Sequence, residues 1–153
     1  MTEMYAKSGR QAVSVLSTTG QARDVDVFLG PALHRYHQTE TLGERLNTEG
    51  LRFLPVALGE KVELLQMDAI ADVKVEGASP ELEELDSVGA VHQSVVVHLA
   101  TGDTLAGELV YQMPQGSPRV SDLLNNPKSR FLLLVQPGCC HYVNQKAVVR
   151  VEA

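Results

Sequence analysis

The residues best equipped for chemistry in this 153-residue chain stand in one short run, Pro137-Gly138-Cys139-Cys140-His141. Two thiols and an imidazole are donors that suit zinc or copper. Neighbours on a strand point to opposite faces, however, so two adjacent thiols do not converge on one ion. The same geometry keeps Cys140 and His141 from forming a thiol–imidazole dyad. A bridge between neighbouring cysteines would need a strained eight-membered ring, so the pair cannot staple distant parts of the fold, and the segment reads as a hairpin with small buried thiols. A second cluster is Leu33-His34-Arg35-Tyr36-His37. Its imidazole spacing serves a metal only on a helix, and no carboxylate or thiol accompanies it. Arg35, Tyr36 and His37 instead make a candidate partner contact, because Tyr and Arg are favoured interface anchors. A third group, Arg119 with Asp122 and Asn125, fits a capped turn: Ser121 and Asp122 start it, Asn125 closes it, and Arg119 remains as a candidate partner contact. Nucleophile elbows, glycine-rich phosphate loops and His-Glu-x-x-His are missing. No catalytic, cofactor-binding or metal-binding residue is assigned, and a non-enzymatic chain without cofactors is expected.

Whatever these residues do, a folded core must position them. The chain is 44% apolar and 21% charged, which fits an ordinary globular protein and excludes collagen-like or fully disordered classes. At this length folding removes roughly 70% of the unfolded surface from water, enough for one sizeable core or two small ones. A net charge of −6 argues against broad electrostatic capture of nucleic acid or anionic membrane. No run approaches the roughly 18 apolar residues of a membrane span. The opening Met1-Thr2-Glu3-Met4-Tyr5 has no secretory pattern, so a cytoplasmic location is expected.

The informative feature is an internal repeat. Shifted by 82 residues, Val13-Ser14-Val15 falls on Val95-Val96-Val97 and Val27-Phe28-Leu29 on Leu109-Val110-Tyr111. After a gap of four, a shift of 78 lays Leu46-Asn47 on Leu124-Asn125, Arg52-Phe53-Leu54 on Arg130-Phe131-Leu132, and Ala69–Val73 on Ala147–Val151. A tandem duplication accounts for the shared order.

Each half then reads as five strands. In the second, Val95, Val97 and Leu99 alternate with Val96 and His98, a turn follows at Thr101–Thr104, and a second strand reaches Tyr111. Gly107 interrupts that strand and predicts a bend that lets a short sheet curl. A helical turn over 120–126 leads to strands at Arg130–Val135, Cys140–Asn144 and Ala147–Glu152. The first half repeats this with strands at Val13–Thr18, Ala22–Leu29, Leu51–Leu58, Lys61–Gln66 and Ala69–Glu76. Its helical turn is opened by Thr41 and Glu44 in capping-box spacing. Between the halves, Ser79 and Pro80 followed by acids, with Gly89 beyond, are start and stop signals of a short acidic helix. The expected organisation is a first unit at 1–76, a linker at 77–91 and a second unit at 92–153.

Several runs resemble a known family. Val97–Leu109 is similar to the opening motif of Sm-like proteins, with alternating apolar residues, a turn glycine and a strand glycine. Tyr142–Val151 looks like their second motif, two short strands joined by a tight turn. Arg119-Val120-Ser121-Asp122-Leu123-Leu124-Asn125, with Arg130-Phe131-Leu132 and Val143-Asn144-Gln145, resembles an uncharacterised bacterial domain with an Arg-Leu-Ser-Asp-Phe-Leu-Asn signature. The resemblance covers nearly all of the second half and the first only weakly. It implies two tandem, five-stranded, strongly bent β-barrels (LSm-type), each with a helical turn between its second and third strands. It also implies ring assembly by strand pairing and, in many members, binding of single-stranded RNA. Asn144, Gln145 and Lys146 are the candidate RNA contacts.

The leading expectation is a cytoplasmic scaffold or adaptor that works through protein contacts at barrel edges and loops and associates with itself. RNA binding ranks second. A small-ligand or metal sensor ranks third.

Overall fold

A computed structural model describes residues 9–31, 39–77, 79–112, 119–125 and 130–153. Ten strands are present: β1 (Gly9–Ser17), β2 (Ala22–Leu29), β3 (Phe53–Leu58), β4 (Lys61–Gln66), β5 (Ile70–Glu76), β6 (Val91–Leu99), β7 (Thr104–Tyr111), β8 (Phe131–Gln136), β9 (Cys139–Asn144) and β10 (Val148–Glu152). Three helices accompany them, α1 (Leu42–Leu46), α2 (Pro80–Ser87) and α3 (Val120–Leu124), with single 3-10 turns at Met67–Ala69 and Gln145–Ala147. All the ladders are antiparallel and form one sheet in the order β10-β6-β7-β8-β9-β5-β1-β2-β3-β4.

The repeat is visible in hydrogen-bond register. Val13↔Val25 in the first half recurs as Val95↔Gly107, Val27↔Val56 as Leu109↔Leu134, Phe53↔Gln66 as Phe131↔Asn144, and Val15↔Val73 as Val97↔Val151. Even the register break recurs, between Leu16 and Ser17 against β5 and opposite Leu99 in β10. Matching turn bonds hold both breaks, Thr18 N–H to Ala69 O at 2.9 Å and Ala100 N–H to Ala147 O at 2.8 Å.

The architecture differs from two separate closed barrels. The sheet is open at β10 and β4, and it runs without interruption from one half into the other through β5 and β9. Its apolar residues gather in two clusters. One holds Val13, Val27, Leu54 and Val73 of the first half, yet it also takes in Phe131, Leu133, Cys140 and Tyr142. The other holds Val97, Leu109, Leu134 and Val143, and it takes in Ala71 from β5. Each half therefore completes the other's interior, which is why β9 is buried along its whole length.

Local expectations are met in most places. Thr41 and Glu44 form the capping box of α1, with Glu44 N–H donating to Thr41 Oγ1 at 3.2 Å and Thr41 N–H to Glu44 Oε1 at 3.0 Å. Ser79 caps α2, whose first residue is Pro80. Two details differ. Arg119, not Ser121, is the N-cap of α3, and it makes no side-chain capping bond because a guanidinium has no acceptor for the helix N–H groups. Gly107 is required by crowding: a Cβ there would stand 2.6 Å from the carbonyl oxygen of Val135 on the neighbouring strand.

That oxygen is backbone within a ladder and cannot swing aside. Gly107→Ala is expected to destabilise the chain by roughly 1–3 kcal/mol in urea unfolding, the usual cost of overpacking. An unchanged midpoint would show that β7 and β8 separate without penalty.

Candidate functional site

The ladder between the halves pairs Asp72↔Val143, Val73↔Tyr142, Lys74↔His141, Val75↔Cys140 and Glu76↔Cys139. Side chains reinforce it. His141 Nδ1 lies 2.7 Å from Asp72 Oδ2, both side chains being more than nine-tenths buried. Burial holds the Asp72 carboxyl above the usual carboxylate range, opposed by its bond to His141. Asn144, fully buried, donates through Nδ2 to Ile70 O at 2.8 Å and accepts Lys146 N–H at 3.0 Å. Asn47, at the end of α1, clamps the start of β8: its Oδ1 accepts Phe131 N–H at 2.8 Å and its Nδ2 donates to Phe131 O at 3.3 Å. Arg130 Nη1 reaches back to Leu51 O at 2.8 Å.

The linking helix joins the same seam. Tyr142 OH and Ser79 Oγ are 2.8 Å apart, and Glu81 Oε1 accepts Gly43 N–H at 2.8 Å. A Cβ at Gly43 would displace the Glu81 carboxylate from this position. Burial raises the Glu81 carboxyl, against the lowering effect of Gly43 N–H, and burial likewise pushes the Tyr142 phenol up.

The repeat makes this seam a template for the two free edges, since β9 corresponds to β4 and β5 to β10. Five large apolar side chains are exposed among the described residues: Phe53 44%, Val62 43%, Leu64 60%, Val88 56% and Val149 66%. Four of them match seam positions that are covered, namely Phe131 3%, Cys140 1%, Tyr142 2% and Ala71 0%. The clamp is duplicated as well. Asn125 ends α3 as Asn47 ends α1, but its Nδ2 turns back to Ser121 O at 2.6 Å.

Charges at the template positions are complementary. Asp72 on β5 corresponds to Arg150 on β10, and His141 on β9 to Glu63 on β4. Arg150 stands by Glu152 at 3.3 Å, and Glu63 by Arg23 at 2.6 Å, all of them at the surface. Glu152 is held below the usual carboxylate range, first by His98 and then by Arg150.

The sequence-derived candidates are scattered. Arg35, Tyr36 and His37 lie outside the described residues. Arg119 is exposed and its Nε sits 3.4 Å from Asp122 Oδ2. Asn144 is consumed by backbone bonds within the core. Gln145 opens a 3-10 turn, and Lys146 Nζ pairs with Asp68 at 3.1 Å on the surface. The sequence reading singled out Cys139, Cys140 and His141 but compared only neighbours; Cys139 and His141 share a face because they are two apart on a strand, with Sγ and Nε2 4.0 Å apart. Setting the repeat's exposed and covered positions side by side would have found the edges. Among the described residues no group of three or more His, Cys, Asp or Glu side chains is placed to hold a metal ion, and no helix is long and apolar enough to cross a membrane.

Asn47→Ala leaves the N–H of Phe131 unpaired and is expected to cost about 1–3 kcal/mol. Asn125→Ala is expected to stay within about 0.5 kcal/mol in the isolated chain. Equal losses in chemical unfolding would refute the clamp. Glu81 binds its proton more tightly folded than unfolded, so its contribution favours folding at low pH and is lost as pH rises through the raised pKa. Glu81→Gln keeps the acceptor without the charge. Its stability relative to the parent is expected to improve between pH 4 and pH 7, whereas parallel stability curves would contradict the burial argument. No protein-family model, curated protein or solved structure matches this chain.

Proposed function

We propose that this chain is a non-enzymatic scaffold that assembles head to tail with copies of itself, each half being a strongly bent five-stranded unit of the Sm-like kind. One observation carries the reading. The two edges left open, β10 and β4, are the counterparts of the two strands that already pair inside the chain. Superposing the outer edges on the seam places Arg150 against Leu65, Val151 against Leu64 and Glu152 against Glu63. Arg150 then lies diagonal to Glu63, as Asp72 lies to His141. The direct Glu152–Glu63 opposition is unfavourable alone, but Arg23 and Arg150 flank it, so the charges alternate. Covering Phe53, Val62, Leu64 and Val149 adds apolar burial, worth roughly 1.5–3 kcal/mol for each side chain fully covered. Asn125 gains the Phe53 backbone as its partner.

Such a contact is heterologous. It closes into a ring or extends as a filament, according to the rotation at each step. Binding of single-stranded RNA is the weaker reading, because Asn144 is spent inside the fold and Lys146 is paired with Asp68. An added peptide strand from another protein would use the same edges.

Light scattering across a concentration series tests the proposal. The parent chain is expected to run as multiples of the monomer mass, with association weakened by salt. Leu64→Lys should give monomers. Arg150→Glu should weaken association at least tenfold, and Arg150→Glu with Glu63→Arg should restore most of it. A strict monomer at all concentrations, or a double variant as weak as its parents, would overturn the head-to-tail contact.

A further inference from the structure

Cys139 opens β9 immediately behind the exposed turn at Pro137 and Gly138, and it is itself nearly covered. Its thiol shares one face of the strand with His141, Sγ to Nε2 being 4.0 Å. On the far side of the ring, Nδ1 lies 2.7 Å from Asp72 Oδ2. The other carboxylate oxygen, Oδ1, is buried with no hydrogen-bond partner among the described residues. Gln136 completes the group, with Oε1 3.0 Å from His141 Nε2 and 3.4 Å from Cys139 Sγ. The amide cannot turn over without loss, because its Nε2 donates to Ala106 O at 2.8 Å. An acceptor is therefore fixed between the thiol and the imidazole.

We infer that Cys139 is a modification site, a thiol whose thiolate accepts the His141 N–H and which is open to oxidation by small hydroperoxides. Gln136 Oε1 can only accept, so Nε2 carries the hydrogen that faces it, and the same N–H is within reach of Sγ as a donor to the thiolate. In the thiol state S–H also donates to Gln136 Oε1, and the thiolate forms when that proton is lost to solvent. Sulfur then attacks one peroxide oxygen, the O–O bond breaks and Cys139 becomes a sulfenic acid. The leaving alkoxide or hydroxide takes up a proton from solvent, replacing the one Sγ released, and departs as alcohol or water. Sulfur loses the two electrons that the peroxide gains. Asp72 positions the ring across the seam and touches no reacting atom.

Cys140 is the built-in control. It faces the opposite side, into the apolar cluster with Tyr142, and burial pushes its thiol up. The inference does not depend on self-association.

The test compares two single-thiol chains, Cys140→Ser and Cys139→Ser, treated with hydrogen peroxide and a dimedone trap and followed by intact mass. The Cys140→Ser chain is expected to gain one adduct at least tenfold faster than the Cys139→Ser chain. Adding His141→Gln to Cys140→Ser should slow it at least tenfold, and adding Asp72→Asn should slow it severalfold. Equal rates at the two thiols, or a rate unmoved by His141→Gln, would overturn the inference. Where the histidine or aspartate variant unfolds, the folded Cys140→Ser chain is compared with the same chain unfolded in urea: a folded thiol no faster than the unfolded one would overturn the inference.

Discussion

Pairing of β5 with β9 is the constraint on which the rest of the structure depends. Without it β9 would be an edge strand, yet all six of its residues are buried. They can be buried only because β5 satisfies the backbone on one side, β8 on the other, and apolar clusters cover both faces. The same pairing sends Ala71 into the second cluster and Tyr142 into the first. Ten strands in two equivalent sets thus become one cooperative sheet, and the linking helix is fastened to both sets through Tyr142, Ser79, Glu81 and Gly43.

The seam inside the chain and the proposed contact between chains would use different electrostatics. Inside the chain Asp72 and His141 are buried, and a buried pair is costly unless each member keeps its partner. That makes the seam selective for this one register. At the open edges Glu63, Arg23, Arg150 and Glu152 are solvated, so each pairing contributes little and is screened by salt. On the proposed assembly, a permanent joint and a reversible one would share one backbone geometry. The difference lies in burial.

Much of the local structure was legible in the sequence because its causes are local. Thr41 and Glu44, Ser79 and Pro80, and the alternation of Val95, Val97 and Leu99 act over a few residues. The two shifts, 82 and then 78, matched one half to the other because repeated patterning survives low identity, although β1 begins at Gly9, four residues before the expected start. Long-range consequences were not legible. Nothing near Asp72 announces that its partner is His141, and no local signal distinguishes an open sheet shared by two halves from two closed barrels. Gly107 suggested a bend, whereas its reason is the carbonyl of Val135 on a strand 28 residues away. Cys139, Cys140 and His141 were named together and set aside on the geometry of neighbours, whereas alternate residues share a face.

Amide hydrogen exchange measured as a function of protein concentration tests the central claim most directly, since it reports strand pairing residue by residue. The account predicts that amides of β4 and β10 exchange freely in dilute solution and become protected together as concentration rises, while those of β5 and β9 stay protected throughout. Exchange at β4 and β10 that is independent of concentration, or β5 and β9 amides as labile as those of an open edge, would contradict it.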